Sequence, residues 1–403
     1  MRRLAPLLAI LLAAVASAEG DLRAGVASAD VTPDWPVPLA GYSARQGRKS
    51  TGVHDPVKAK CVVLESGGVK FAWVTSDFIG INAEVRDSVF ERIAESTGID
   101  DDHFLVCASH THSGPGGMTK NLLWQIAIGA YDKKLHAQMI DRLSTVVEDA
   151  NAALAPAKLG WGLAQAPGLS HNRRKAGGPT DPDLGVVEVT DREGHVRAVL
   201  ANFTAHPTIL GDENMKVSAD YPGAFQRILE ERLGGGAVVL FSNGAEGDQT
   251  ISAPDGKDDW ERVERSGQAL ADIVAGLLPA IETRDEIEIR SEKRAIDLPF
   301  NIKTIVAPRT STILVADIAG LALAAVPGEM CVEIGLDLKR DLKAAGAKQV
   351  MIVGLSNDHL GYFVTPQGWK DGGYEKDMCF YGPTIAECLK KNFRRVWREL
   401  HTE

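Results

Sequence analysis

The sequence predicts an α/β fold, or an α+β variant of it, with mixed β-sheets flanked by helices in a single large domain. Three observations carry this. Apolar runs of strand length alternate with amphipathic stretches of helical period along the whole chain. No internal repeat, low-complexity tract or linker interrupts them. Five polar loops each follow an apolar strand, where open α/β sheets place ligands.

Taken in order, residues 1–18 stand apart. Arg2 and Arg3 precede an apolar run over 4–15, and Ala16-Ser17-Ala18 closes it as a small-residue cleavage site. This reads as a secretory signal cut after Ala18, with export to periplasm or medium. The run falls short of the roughly 20 residues that span a membrane, and no cysteine follows the cut to be lipidated. The mature chain, 19–403, is read as one compact unit, with a division near residue 285 as the alternative. Residues 57–64 and 70–75 read as strands, 86–96 as a helix and 104–108 as a short buried strand. The stretch 131–154 is a strong amphipathic helix, with Leu135, Met139, Leu143, Val146 and Ala150 on one face. Residues 185–190 and 196–203 pair as strands across Asp191-Arg192-Glu193-Gly194. Phe225, Ile228, Leu229 and Leu233 mark a helix, 237–241 a buried strand, and Val263, Leu270, Ile273, Val274 and Leu277 a helix closed by Pro279. Alternation at Ile287, Ile289, Ile296, Leu298 and Phe300 opens the second part. A hairpin over 313–318 and 321–326 turns at Ala319-Gly320. Ile334, Leu338 and Leu342 lie on a helix, 350–355 is a buried strand, and Ile385, Leu389, Phe393, Val396, Trp397 and Leu400 line a terminal helix.

Composition bounds the function. The 403 residues are 44% hydrophobic and 24% charged, enough to bury a large core and to exclude global disorder. The net charge of -10 argues against nucleic acid and against a polybasic membrane surface. It leaves a lipid-like substrate open. Cys61, Cys107 and Cys331 sit in apolar runs as small hydrophobes. Spacing alone leaves open whether Cys379 and Cys388 bridge. There is no C-x-x-C pair to suggest a thiolate zinc site.

The loops carry the chemistry. In Ser109-His110-Thr111-His112-Ser113-Gly114-Pro115-Gly116-Gly117, two histidines two apart on an extended segment point to the same side. They read as two ligands of one metal, or as one ligand and one acid/base group. His206-Pro207 follows the strand over 196–203 and gains its weight from company. Asn243-Gly244-Ala245-Glu246-Gly247-Asp248-Gln249-Thr250 is a Gly-rich turn with two acids, an amide and a hydroxyl. Pro327-Gly328-Glu329 ends the hairpin. Asn357-Asp358-His359-Leu360-Gly361-Tyr362 leads to Tyr374-Glu375 and Tyr381-Gly382-Pro383, offering phenols as a metal ligand or as hydrogen-bond donors.

These strings resemble the neutral (non-lysosomal) ceramidases, zinc amidases that cleave the N-acyl bond of ceramide. Further matching pieces are Ala24-Gly25 through Ala29-Asp30-Val31-Thr32-Pro33, Gly41-Tyr42 and Asn172-Arg173, and all run in the family's order over nearly the whole mature chain. The H-T-H-S-G-P-G-G string is the most specific of them. The resemblance implies zinc held by His110, His206, Glu329 and Tyr362. It implies His112 as proton donor or shuttle, Tyr374 stabilising the oxyanion, Arg173 orienting or polarising the site, and Asp248 beside the metal's water or the substrate head group. Mixed N/O ligands with one open position suit a catalytic zinc. The implied partner is a small or lipid-like N-acyl substrate, met in transient contact with a membrane surface; no protein partner is indicated.

Two departures stand out. The family carries serine two residues after its Gly-Asp pair, in a G-D-x-S-P-N string; here that position is Thr250, followed by Ile251 and Ser252. Threonine keeps the hydroxyl and adds a methyl to the pocket wall. Larger members also carry a C-terminal β-sandwich, which is expected to be absent here. Two competing readings are a zinc-dependent esterase or other hydrolase on another exported substrate, and an inactive zinc- or lipid-binding relative.

Overall fold

Strands that alternate apolar residues on both faces demand cover on both sides, and the chain supplies it as four layers. A computed structural model describes residues 20–402 apart from Val306, so the secretory signal expected over residues 1–18 lies outside the described residues. Eight strands form one mixed sheet: β1 (Arg23–Asp30), β2 (Lys58–Ser66), β3 (Val69–Ser76), β4 (Phe104–Ala108), β5 (Ala155–Gln165), β6 (Asp183–Asp191), β7 (Val196–Phe203) and β8 (Val238–Asn243). Their spatial order is β8-β7-β6-β5-β1-β2-β3-β4. The interior pairs are antiparallel, and the outer pairs, β3 with β4 and β7 with β8, are parallel. Four further strands, β9 (Ile289–Asp297), β10 (Thr310–Ile318), β11 (Leu321–Ala325) and β12 (Gln349–Val353), make a second sheet in chain order, parallel only between β11 and β12.

The helices are α1 (Ala83–Thr97), α2 (Leu122–Ile128), α3 (Lys133–Ala152), α4 (Asp220–Leu233), α5 (Asp259–Leu277), α6 (Val332–Ala344) and α7 (Ile385–Leu400), with short helical turns at Pro366–Asp371 and Tyr374–Asp377. Each parallel pair is a strand–helix–strand unit, crossing through α1, α4 or α6, as parallel neighbours require. The helices α1 and α3 cover one part of the large sheet's outer face, and α4 and α5 the other. The small sheet's outer face lies under α6 and α7. Between the sheets runs a shared core that includes Leu64, Trp73, Leu105, Leu314, Leu323 and Met351. The alternation in β2 explains the layering: Cys61 and Val63 face the helices, while Val62 and Leu64 face the second sheet.

Every predicted element is present, most with slightly different ends. The face predicted on α3 is buried throughout, and the hairpin turns where expected, with Ala319 and Gly320 both at positive φ. Of the twelve strands in the two sheets, β1 and β5 have no counterpart in the sequence reading. All five cysteines are free.

One contact joins the two sheets at an edge. The loop after β12 lies along β4: the Asn357 backbone N–H donates to Val106 O at 2.9 Å, and the Val106 N–H donates back to Asn357 Oδ1 at 2.9 Å. This covers an edge strand that would otherwise offer open backbone groups.

Candidate metal centre

The loops after β4, β7, β11 and β12 converge. His110 lies two residues beyond β4, held in the left-handed region at φ 72°. Its backbone N–H donates to Phe78 O, and its ring Nδ1 donates to Ile79 O at 2.5 Å. His206 follows β7, with Nδ1 against Glu246 O at 2.8 Å and Gln249 O at 3.0 Å. Both rings therefore spend their Nδ1 proton on backbone carbonyls, and each turns a bare Nε2 toward the same place. Glu329 and Tyr362 are opposite residues of a two-residue parallel ladder, so backbone register sets their side chains side by side.

At the meeting point Glu329 Oε2 stands 3.1 Å from His206 Nε2 and 3.3 Å from His110 Nε2. The Tyr362 hydroxyl is 3.3 Å from His206 Nε2. Two imidazole lone pairs facing a carboxylate oxygen repel one another unless a cation stands among them. Ligands ~2.1 Å from a tetrahedral ion stand about 3.4 Å apart, so the spacing suits a metal. His112 joins the group: one ligand atom each from His110, His112 and His206 lies within 4.8 Å of the others. His110 Nε2 and both ring nitrogens of His112 are shielded from solvent without a hydrogen-bond partner. A metal ion or its bound water would satisfy these orphaned nitrogens. These residues fit a metal ion.

Glu329 stays ionised despite its burial only where positive charge stands beside it: charge at His110 and donation from the His110, His206 and His359 rings hold its carboxyl well below the usual carboxylate range, a role a bound cation would take over where the His110 and His206 Nε2 atoms are bare. Burial pushes His206 down to about 3 and His112 well below 6.5, so both rings stay neutral in neutral solution.

The other predicted residues surround this centre. Arg173 donates to the Tyr362 hydroxyl at 3.0 Å, to Gly247 O at 2.9 Å and to Glu375 at 2.9 Å. Tyr374 is 59% exposed and sets its ring edge-on to Tyr362, 5.4 Å between centroids. Asp248 is engaged on both oxygens: Oδ1 by the Val332 N–H that begins α6 and by Gln249, Oδ2 by Asn172. It lines a polar cleft of about 550 Å³ together with Arg173 and Tyr374. Thr250 is a backbone bridge partner of His206. A second cleft, of about 340 Å³, is lined by Trp124, His359, Leu360 and Phe380 and by the charged Glu84, Asp87 and Lys293.

Several residues have no role in the sequence reading. His359 bonds Glu329 Oε1 at 3.2 Å. Tyr42 sets its ring edge-on to His112 at 4.8 Å, and a Cβ on Gly41 would stand 2.5 Å from the His112 ring. The Gly41-Tyr42 string pointed there. Arg45, fully buried, donates to carbonyls of Ala40, His112, Gly211 and Asp212; nothing in its basic surroundings signals that work.

Comparison with known proteins identifies the family and the fold. Residues 22–257 match the family model for neutral/alkaline non-lysosomal ceramidase, N-terminal. The chain is 21% identical to a neutral ceramidase of Pseudomonas aeruginosa, over 95% of this chain and 73% of that one. It is 26% identical to a neutral ceramidase of Mycobacterium tuberculosis, over 50% of this chain and 34% of that one. The crystal structure of the Pseudomonas aeruginosa neutral ceramidase superposes with a TM-score of 0.86 at 20% identity, covering 95% of this chain and 76% of that one. A ceramidase complexed with C2 superposes with a TM-score of 0.85 at 19% identity, covering 95% of this chain and 77% of that one.

Proposed function

The chain belongs to the neutral/alkaline non-lysosomal ceramidase family, and from that premise we propose that it is an exported zinc-dependent amidohydrolase cleaving the N-acyl bond of ceramide or a related N-acylated amphiphile. The observation that carries this is the convergence of His110, His206, Glu329 and Tyr362 on one point. Bound there, zinc would supply a Lewis acid that polarises the acyl oxygen and acidifies water.

The chain's own groups do the rest. His112, held neutral, accepts the proton of the attacking water and returns it to the nitrogen as the C–N bond breaks. Arg173 and the Tyr374 hydroxyl hold the charge that develops on the acyl oxygen. Asp248 works from behind: its backbone carbonyl accepts from the Arg173 N–H at 2.9 Å, so it fixes the loop that presents the guanidinium. Thr250 braces His206 through the backbone and keeps the hydroxyl of the family's serine. Leu122 and Ile126 on α2, with Phe300, Ile302 and Ile305, are exposed and suit transient contact with a lipid surface. Among the described residues no helix is long and apolar enough to cross a membrane.

The test is substitution of His110 or Glu329 by alanine, with zinc content and hydrolysis of N-acyl-sphingosine measured together. Both are expected to fall to background; retention of both overturns the proposal. A second reading, a shorter and more polar N-acyl or ester substrate, is favoured by the charged lining of both clefts. Faster turnover of short-chain N-acyl compounds or esters than of N-acyl-sphingosine would establish it. Absence of metal-dependent turnover on every acylated substrate would leave the inactive relative.

A further inference from the structure

We propose that His359 is a positioning residue for Glu329, holding its Oε1 so that Oε2 alone is presented to the metal. The inference rests on the metal-centre reading above and adds to it a residue outside the proposed ligand set.

The two oxygens of Glu329 have different company. Oε2 faces His110 and His206, whereas Oε1 faces the ring of His359, Nε2 at 3.2 Å. The three histidines also differ in how their rings are tied. His110 and His206 donate Nδ1–H to carbonyls and so carry bare Nε2 atoms. Among the described residues no carbonyl receives Nδ1 of His359; that atom faces Gly80, where a Cβ would approach to 2.8 Å. The neutral tautomer with its proton on Nε2 is therefore the one satisfied here, and Glu329 Oε1 takes that proton as a hydrogen bond. The same ring nitrogen that is a candidate metal ligand in His110 and His206 is a donor in His359.

The ring is also fixed in place. The indole of Trp124, on α2, stacks on it at 5.0 Å with 19° between planes, and the lack of a side chain at Gly80 lets the imidazole sit close to the backbone there. The backbone before it is pinned by Asp358, whose carboxylate accepts from the His359 N–H at 2.8 Å, the Ala83 N–H at 3.1 Å and Ser311 Oγ at 2.7 Å. A donor held this firmly limits rotation of the carboxylate. Outer hydrogen bonds to ligating carboxylates commonly contribute 10–100-fold to metal affinity.

The experiment measures zinc affinity of the full chain by competition with a chromophoric chelator. H359F keeps an aromatic plane on Trp124 and removes the N–H; it is expected to bind zinc about 10–100-fold more weakly. H359Q restores a side-chain N–H donor and is expected to recover most of the loss, which a purely packing role would not allow. H110A, expected to lose zinc altogether, tests the ligand assignment separately. If H110A loses zinc while H359F binds it like the parent, this inference alone fails. It also fails if H359Q is as weak as H359F. If H110A binds zinc like the parent, the metal-centre reading itself fails. Should H359F not fold, H359M and H359Q compared with each other decide the same question.

Discussion

The two sides of the candidate metal centre are held by different means. On the histidine side, His110 and His206 lean on backbone carbonyls of Ile79, Glu246 and Gln249, which belong to loops of the large sheet. On the carboxylate side, Glu329 and Tyr362 lean on side chains, the His359 ring and the Arg173 guanidinium, the latter itself anchored by Glu375. A carbonyl anchor is the same whatever residue carries it. A side-chain anchor changes with a single codon. The histidine side should therefore withstand substitution around it, while the carboxylate side is where sequence change outside the ligands can tune affinity and rate.

The largest expected effect attacks the carboxylate side. Arg173→Met should keep zinc bound and lower kcat by about 10²–10³, the scale of losing one donor to a developing oxyanion. Glu375→Gln, which loosens the guanidinium without deleting it, should lose only about tenfold. An unchanged kcat in R173M, with full zinc occupancy, would break the distinction. Next comes Gly41→Ala. Its new methyl would press on the His112 ring and its φ of 98° disfavours any side chain. Zinc should remain while kcat falls by about 10²-fold, the lower end of what an acid–base group contributes; a loss of zinc instead would make His112 a ligand.

Smaller effects probe the histidine side. Asp77 directly precedes Phe78 and Ile79, whose carbonyls hold His110. Burial raises its carboxyl to about 6. A raised carboxyl stabilises the fold below its unfolded value of about 3.9 and gives that up as pH rises through about 6. Denaturation of zinc-free parent and Asp77→Asn protein should therefore shift in favour of the variant between pH 4 and pH 7.5, by up to about 3 kcal/mol. A pH-independent difference would remove Asp77 from the account. Ile79→Val should cost about 0.5–1.5 kcal/mol of stability and leave zinc affinity unchanged, because the carbonyl stays; weaker zinc there would show that the two sides do not differ after all.

The same contrast explains what was legible in the sequence. The proposed ligands close to apolar strands announce themselves, because a histidine or glutamate in a loop just past a buried run has few other reasons to be there. The neutral-ceramidase resemblance then named His110, His206, Glu329 and Tyr362 together. His359 lay in a loop already singled out, yet its role depends on Trp124 in a distant helix, and no local pattern records that stack. The strands behaved similarly. In β2 the alternation is plain. In β5, Gly160 and Gly162 stand where the chain after α5 and α5 itself press down, and a Cβ at Gly160 would come within 2.5 Å of Glu282 O. In β1, Gly25 lies under α3, where a Cβ would be 1.9 Å from Ala150 O. Close packing removed the apolar side chains that would have made these strands readable.

The Asn357 rung along β4 also bears on how the chain is made. Its partner Val106 lies 251 residues earlier. At about 5–20 residues per second of synthesis, β4 emerges roughly 12–50 s before the segment that covers it. During that interval the nascent large sheet carries an open edge of Phe104, Leu105, Val106, Cys107 and Ala108, every one buried in the finished protein. Such an edge invites pairing with another nascent chain. The same late-arriving loop delivers His359 and Tyr362, so the event that closes the edge against aggregation is also the one that completes the site.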